Sequence, residues 1–233
     1  MIDAETLAYN KRQYEQVYGS TVEFADFIAP LMHDAKNIVD IGCGAGAPTK
    51  YLADRFPQTE LFVGIEKEQE LLEIASEKTN PKTFFMKGDV FDLPSSLKPD
   101  GVISLQMFSW LSEIEAPLIQ ICTKLKPEWI AFSSLFFEGD ISCDIKVHEP
   151  KVPRESFYNI YSIPAVSELL GKYGYYQFRI QKFGKGPNLQ PMPKPFSLQA
   201  MRSYTVDTVE GGRMIMSGPL MLPWYFLSYR KVI

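Results

Sequence analysis

A run of glycines between an apolar stretch and a polar segment is the feature of this sequence that most directly indicates chemistry. Residues 38–49 read Ile-Val-Asp-Ile-Gly-Cys-Gly-Ala-Gly-Ala-Pro-Thr. Glycine adopts positive φ and has no Cβ, so Gly42, Gly44 and Gly46 let a ligand lie directly on the backbone of a strand-to-helix turn. The spacing also fits the G-x-G-x-x-G/A fingerprint of dinucleotide-binding domains, with Ala47 in the last place.

Asp40, just before the glycines, bears on the choice of ligand. A carboxylate at this point suits a ligand that carries an ammonium group, whereas beside a pyrophosphate it is repelled. The residues therefore favour an ammonium-bearing cofactor, and a nicotinamide dinucleotide stays open as the alternative.

The segment from Asp40 to Gly46 resembles the first motif of class I S-adenosylmethionine-dependent methyltransferases. Later segments resemble further motifs of that family in the same order, namely Leu61–Glu66, Lys87–Pro94, Asp100–Leu105 and Leu125–Pro127. The resemblance covers about residues 36–136. It implies an α/β protein with a three-layer αβα Rossmann-like methyltransferase fold. The implied sheet is mostly parallel and seven-stranded, with an antiparallel last strand beside the fifth, and a hairpin is inserted near the C-terminus.

The resemblance also implies S-adenosylmethionine as the cofactor and gives roles to individual residues. Glu66 would accept hydrogen bonds from both ribose hydroxyls, Asp89 would meet the adenine amino group, and the backbone of Val90 would meet the ring. Gln106 would lie beside the methionine portion. For Tyr14, on the first helix, simple packing is the alternative. The cofactor set so implied is Asp40, Gly42, Cys43, Gly44, Gly46, Glu66, Lys67, Asp89, Val90, Gln106 and Tyr14.

Alternating strand and helix patterns must position these residues. Apolar runs predict strands at about 37–41, 60–65, 83–87, 101–105, 129–136, 175–183 and 224–231. Amphipathic segments lie between them, and two capping boxes, Ser20-x-x-Glu23 and Ser112-x-x-Glu115, predict helix starts. Short connections between alternating elements predict a parallel, doubly wound sheet.

We predict a single domain over residues 1–233 with four regions. Residues 1–34 form a helical cover and residues 36–136 the cofactor-binding core. Residues 137–161 and 184–223 are insertions that serve the substrate, and the second holds a hairpin that turns at Gly211-Gly212.

Methyl transfer from a sulfonium needs few catalytic groups from the protein, because the methyl group is already activated. It needs an in-line nucleophile and exclusion of water, and it needs a base only when the acceptor must lose a proton. His148 is the candidate base because imidazole titrates near neutrality, and an exposed loop imidazole is the alternative. Glu138, Asp140 and Asp144 are further candidates.

Composition narrows the class of protein. The net charge of −4 and the pI near 5.4 disfavour a nucleic-acid substrate. No apolar run is long enough for a membrane span, and the N-terminus lacks a signal-peptide pattern, so we expect a cytoplasmic protein. Cys43, Cys122 and Cys143 have no metal-site spacing and are expected to be free thiols. The sequence shows no cluster of carboxylates beyond the motif acids near the fourth strand, so metal-dependent O-methylation is disfavoured.

The sequence thus predicts methyl transfer to oxygen or nitrogen of a small or medium-sized acceptor by a monomer or homodimer. Basic residues in and just before the second insertion favour a sugar-like or phosphorylated acceptor, and a solvated basic rim is the alternative. They are Lys182, Lys185, Lys194, Arg202 and Arg213. Two other classes stay open: a non-catalytic scaffold that keeps the cofactor fold, and an NAD-dependent oxidoreductase.

Overall fold

At the centre of the sheet, the strand residues 38–41, 101–104 and 129–136 are buried on both faces, as inner parallel strands require. We describe the chain from a computed structural model, which covers residues 4–78, 80–140, 142–148, 155–183, 203–207, 211–217 and 220–232. The helices are α1 (Ala4–Glu15), α2 (Gly19–Ile28), α3 (Ala47–Arg55), α4 (Gln69–Glu77), α5 (Glu115–Gln120) and α6 (Ile163–Gly171). Short 3₁₀ helices span Ala29–Leu31 and Phe108–Trp110, and a π-helical turn, Ile121–Leu125, follows α5 directly.

The strands of the first half are β1 (Asn37–Ile41), β2 (Leu61–Glu66), β3 (Thr83–Lys87), β4 (Gly101–Leu105) and β5 (Trp129–Phe137). Those of the second half are β6 (Lys146–His148), β7 (Glu155–Phe157), β8 (Tyr161–Ser162), β9 (Tyr175–Lys182), β10 (Ser203–Asp207), β11 (Arg213–Ser217) and β12 (Leu220–Lys231).

Seven of these strands form the core of the sheet in the order β3-β2-β1-β4-β5-β12-β9. The first five are parallel, and β12 runs antiparallel to both β5 and β9. The expected α/β fold with an antiparallel last strand beside the fifth is therefore confirmed. The chain leaves β1 for β2 on one side and reaches β4 on the other, so the carboxyl ends of β1 and β4 bound the crevice where such sheets bind ligands.

Helices cover both faces of the sheet and produce two hydrophobic clusters. One lies under α2 and α3 and includes Phe24, Phe27 and Leu52, which are at most 1% exposed. The other lies under α5 and α6 and includes Leu118 and Leu170. These layers fix the strand ends from which the site is built.

The two segments predicted as insertions carry the remaining strands. In residues 137–161, β6 and β7 form a small antiparallel hairpin, and β8 pairs with the end of β5. In the second, β10 and β11 pair around Gly211-Gly212 and β11 pairs with the start of β12, so the predicted hairpin is present. Residues 184–202, 208–210 and 218–219 lie outside the described residues. The division into cover, core and insertions stays a prediction.

Both capping boxes are wrong. Helix α2 begins at Gly19 after Tyr18, which makes no side-chain cap hydrogen bond. Glu23, only 4% exposed, instead accepts a hydrogen bond from Gln181 Nε2 at 2.7 Å. At α5, Glu113 rather than Ser112 accepts from a first-turn amide, that of Ala116, at 3.3 Å. At α2 a long-range contact thus takes the glutamate of the predicted box, and at α5 the neighbouring acid takes the place of the predicted serine.

Candidate functional site

The glycine turn after β1 has the backbone that its sequence predicts. Gly42, Gly44 and Gly46 have φ of +70°, +57° and +84°, the left-handed region that favours glycine. A Cβ on Gly42 would lie 2.6 Å from Met107 Sδ, and one on Gly46 would lie 2.6 Å from Phe85 Cζ. At both positions, packing as well as backbone geometry therefore requires glycine.

Glu66 is the last residue of β2, and its carboxylate connects that strand to the glycine turn. Its Oε2 accepts a hydrogen bond from Gly44 N at 3.0 Å. Its Oε1 accepts from the backbone amides of Lys67 and Glu68, at 2.9 Å and 3.0 Å. The Lys67 side chain is exposed, so its described contact to this group is made by the backbone. The carboxylate is 9% exposed, and its acceptor sites are not exhausted by three amides.

Asp40 lies beneath the turn and is 1% exposed. Its Oδ2 accepts a hydrogen bond from Thr49 Oγ1 at 2.6 Å. Its buried Oδ1 has no hydrogen-bond partner among the described residues. The pKa of Asp40 is raised to about 7, mainly by burial; the Thr49 hydrogen bond opposes this rise, and the negative charge of Glu66 contributes to it. A buried carboxylate oxygen without a donor beside an open turn fits a ligand ammonium group.

This pKa leads to a prediction for the ligand-free protein. A carboxyl group with a raised pKa binds its proton more tightly in the folded state than in the unfolded state. The free energy of unfolding should therefore fall as the pH rises from about 4 to about 7. Asp40→Asn removes the ionisable group, so the variant should gain about 2–4 kcal/mol over the parent between pH 4 and pH 8. Denaturant unfolding at both pH values measures this gain.

Asp54→Asn is the control for the Asp40 prediction, because Asp54 is an exposed acid paired with Lys50 on α3. It should change the pH profile little, since an exposed ion pair contributes little to stability. Parallel profiles for the parent and for Asp40→Asn would contradict the assignment.

Helix α1 covers the turn through two side chains one helical turn apart. Tyr14 Oη donates to Ala45 O at 2.5 Å, and Asn10 Oδ1 accepts from Ala45 N at 3.2 Å. Asn10 Oδ1 also lies 2.5 Å from where a Cβ on Gly44 would be. Tyr14 was expected in the site on the resemblance, whereas Asn10 was missed. Its spacing from Tyr14 puts both residues on one helix face, which is the signal that was available.

Cys43 lies inside the turn and is buried. Burial raises the pKa of its thiol well above the usual value, and the negative charges of Asp40 and Glu66 raise it further. The thiol is therefore neutral, and it contributes packing rather than a nucleophile. Cys122 is also a buried free thiol, and Cys143 is an exposed one.

Gln106 directly follows β4, at the carboxyl edge of the sheet where the glycine turn also lies. It is a non-glycine residue with φ of +60°, and its Nε2 donates to Ser133 Oγ at 3.0 Å. Such a backbone conformation in a non-glycine residue is a common feature of functional sites. The structure thus brings Gln106 and the glycine turn to the two sides of the same crevice.

In the segment after β3, Asp89 and Val90, the residues expected to meet the adenine, make contacts within the protein. Asp89 is exposed, and its Oδ1 accepts from Phe91 N at 3.0 Å, which closes a tight turn. Val90 is 6% exposed and belongs to the hydrophobic cluster under α5 and α6. The adenine contacts expected of these two residues stay a prediction.

The first insertion packs against the loop that follows β4. Asn159 is fully buried, with Oδ1 accepting from Ile145 N at 2.8 Å and Nδ2 donating to Leu111 O at 2.9 Å. The ring of Tyr158 meets that of Trp110 edge-on at 4.7 Å. Sequence reasoning missed Asn159, whose partners are far along the chain. It fixes the first insertion to the loop that follows β4.

His148 lies at the end of β6, exposed, opposite Glu155 in the small hairpin. No described contact joins it to the glycine turn or to Gln106. Glu138, at the end of β5, accepts a hydrogen bond from Tyr225 Oη at 2.6 Å, and burial raises the pKa of that tyrosine. The role of His148 as a base stays a prediction.

The described residues also bear on a metal site and on a membrane-spanning helix. In the part of the chain that the structure describes, no cluster of His, Cys, Asp or Glu is able to hold a metal ion. Among the same residues, no helix has the length and apolar character needed to cross a membrane.

Comparison with known proteins gives matches in sequence and in fold. Residues 38–128 match the family described as "Methyltransferase domain". A trans-aconitate 2-methyltransferase of Acidovorax sp. (strain JS42) is 31% identical over 88 residues, covering 37% of this chain and 33% of that protein. A malonyl-[acyl-carrier protein] O-methyltransferase of Halalkalibacterium halodurans is 29% identical over 113 residues, covering 44% and 41%. The matches thus span a third to two-fifths of these relatives.

Solved structures share the fold over most of the chain. An S-adenosylmethionine-dependent methyltransferase structure from Listeria monocytogenes superposes with a TM-score of 0.61 at 13% identity, covering 91% of this chain and 98% of that one. The magnesium protoporphyrin IX methyltransferase of Synechocystis, solved with bound SAH, has a TM-score of 0.57 at 12% identity and covers 100% and 89%. At such identities the likeness concerns the fold.

Proposed function

We propose that this chain is a class I S-adenosylmethionine-dependent methyltransferase, which binds S-adenosylmethionine and methylates an oxygen or nitrogen of a small or medium-sized acceptor. The match of residues 38–128 to the family described as "Methyltransferase domain" supports the proposal. The observation that carries the proposal is the unpaired, buried Oδ1 of Asp40 beneath a turn of three glycines with positive φ. In a scaffold that binds no ligand, a buried carboxylate oxygen without a donor would cost stability and gain nothing. A pyrophosphate would be repelled by the charge of the carboxylate.

Each part of the proposed site would hold a different part of the cofactor. Asp40 would accept from its ammonium group, Glu66 from the ribose hydroxyls, and Asp89 and the Val90 backbone would meet the adenine. The bound cofactor would supply an activated methyl group on a sulfonium. The chain's own task would then be to align the acceptor at the end of β4 and to exclude water.

Two classes of methyl acceptor are proposed, in order of preference. The names of the relatives mention acidic acceptors, trans-aconitate and malonyl-[acyl-carrier protein], and a carboxylate needs no base to attack a methyl group. We therefore place carboxylic acids first. A sugar-like or phosphorylated acceptor comes second, and it rests on basic residues of which Lys185, Lys194 and Arg202 lie outside the described residues. A cytoplasmic location and a monomeric or homodimeric state stay predictions.

The cofactor proposal is tested by calorimetric titration with S-adenosylmethionine, S-adenosylhomocysteine and NAD. The first two should bind at micromolar affinity or tighter. Glu66→Ala should weaken S-adenosylhomocysteine binding by about 1.5–3 kcal/mol, because charge-assisted hydrogen bonds are lost and the amide of Gly44 loses its acceptor. Glu60→Ala is the control, since Glu60 is an exposed acid paired with Lys36 at 3.3 Å and should bind as the parent does. Binding of NAD alone would overturn the proposal.

The acceptor is tested with a methyl-labelled donor and three sets of compounds: carboxylic acids, amines, and sugars or phosphorylated metabolites. If an alcohol is the acceptor, His148→Gln should lower the rate of methyl transfer, because the base that takes the proton of the alcohol is lost. If a carboxylate is the acceptor, that variant should match the parent. An unchanged rate with an alcohol acceptor would remove His148 as the base.

A further inference from the structure

The crevice between β1 and β4 has an unusual residue on its β4 side. Gln106 follows the last residue of β4, and its φ of +60° lies in the left-handed region. A residue with a side chain is strained in this conformation, so surrounding contacts must hold it. The next residue, Met107, packs on Gly42 of the turn. Gln106 is therefore the direct chain neighbour of a residue that contacts the glycine turn.

One buried residue of β5 supplies the contacts that hold Gln106. Ser133 is 2% exposed, and its carbonyl oxygen accepts from Gln106 N at 2.7 Å. Its hydroxyl oxygen, Oγ, accepts from Gln106 Nε2 at 3.0 Å. Both the backbone and the side chain of Gln106 are thus fixed by the same serine. With its amide nitrogen engaged by Ser133, Gln106 keeps its side-chain oxygen as an acceptor that a ligand is able to use.

A tryptophan from β12, the strand that pairs with β5, completes the network. Trp224 Nε1 donates to Ser133 Oγ at 2.7 Å, and Trp224 is 4% exposed. This donor takes one of the lone pairs of the hydroxyl and limits how Ser133 can orient toward Gln106. Trp224 lies on β12 opposite Leu135 of β5, so its own position is set by the sheet.

We propose that Ser133 and Trp224 are positioning residues, which act on the bound cofactor only through Gln106. The proposal rests on the proposed function, since it takes the crevice to be the cofactor site. Neither residue resembles a family motif, and neither faces the glycine turn. Their effect on the site comes from a hydrogen-bond path that runs from Trp224 Nε1 through Ser133 Oγ to Gln106 Nε2.

A double-mutant cycle on S-adenosylhomocysteine affinity tests the proposal without an acceptor. Trp224→Phe keeps an aromatic ring and removes the N–H, and it should weaken binding about threefold to tenfold in the parent. In the Gln106→Ala background the same change should have almost no further effect, because the residue it acts through is gone. Ser133→Ala should behave in the same way and provides a second route should Trp224→Phe fold poorly.

Trp129→Phe is the matched control, because Trp129 is also 4% exposed and also lies on the sheet, at the opposite end of β5. It should leave affinity unchanged in both backgrounds, while thermal unfolding confirms that every variant is folded. Losses that add in the double variants, or no loss for both Trp224→Phe and Ser133→Ala, would overturn the inference while the proposed function stands. A parent that binds no S-adenosylhomocysteine would overturn both.

Discussion

Gly44→Val should abolish S-adenosylhomocysteine binding and leave a folded protein. Gly44 has φ of +57°, and a β-branched residue there is strained by about 1–2 kcal/mol. The new side chain would also extend from a Cβ that lies 2.5 Å from Asn10 Oδ1, into the space between the turn and α1. We expect the turn to distort and the surface for the ligand to be filled. Calorimetry and circular dichroism, run on the same preparation, measure the two halves of this prediction.

Gly171→Val is the matched control for this substitution. Gly171, at the end of α6, does not have a positive φ, and a Cβ there would meet nothing within 4 Å. This variant should bind as the parent does. Gly44→Ala should lie between the two, since it keeps the backbone strain and adds less bulk. Normal binding by Gly44→Val would mean that the glycine run is only a turn and that the site lies elsewhere.

The parts of the fold that the sequence predicted best are those determined by short-range patterns. Strands β1, β3 and β4 begin and end where predicted, because each is an apolar run bounded by polar or turn residues. The glycine turn was predicted for the same reason, since positive φ at Gly42 is a property of a few neighbouring residues. The start of β12 was predicted too late, at 224 instead of Leu220. Pro223 lies inside the strand, opposite Met214, and proline normally argues against a strand interior.

The residues that were missed share a physical cause, which is that their partners are far along the chain. Asn10 meets Ala45, Asn159 meets Leu111, and Trp224 meets Ser133. No local pattern encodes these pairs, because they exist only once the layers have packed. The wrong capping box at Glu23 has the same origin: its partner Gln181 comes from an edge strand. Motif spacing thus predicted where the cofactor would lie, and packing determined what holds those residues in place.

The packing of one such long-range pair makes the second large prediction possible. Phe183 N donates to Trp224 O at 2.9 Å, and the two rings are 4.1 Å apart. Phe183 and Trp224, which flank residues 184–223, are therefore adjacent partners of an antiparallel strand pair, and a short link is able to join them as a hairpin. Replacement of residues 184–223 by a Gly-Ser link should accordingly leave β9 and β12 paired and the core folded.

This replacement should separate cofactor binding from methyl transfer. Every residue proposed to contact the cofactor lies before residue 111, so S-adenosylhomocysteine affinity should stay within a few-fold of the parent. Methyl transfer to the acceptor found by the screen should fall about a hundredfold or more, because acceptor alignment and exclusion of water are lost together. Paired calorimetry and activity measurements, after circular dichroism confirms folding, provide the test.

A smaller deletion sharpens the result. Removing only the hairpin strands, residues 203–217, distinguishes a role of the hairpin from a role of the segment that precedes it. If the hairpin contacts the acceptor, this shorter deletion should lose methyl transfer as fully as the longer one while keeping cofactor affinity. Transfer at the parental rate in the longer deletion would remove the substrate role of the insertion. An equal loss of cofactor affinity there would show instead that the insertion belongs to the cofactor site, since Trp224 and Ser133, which hold Gln106, are present in both deletions.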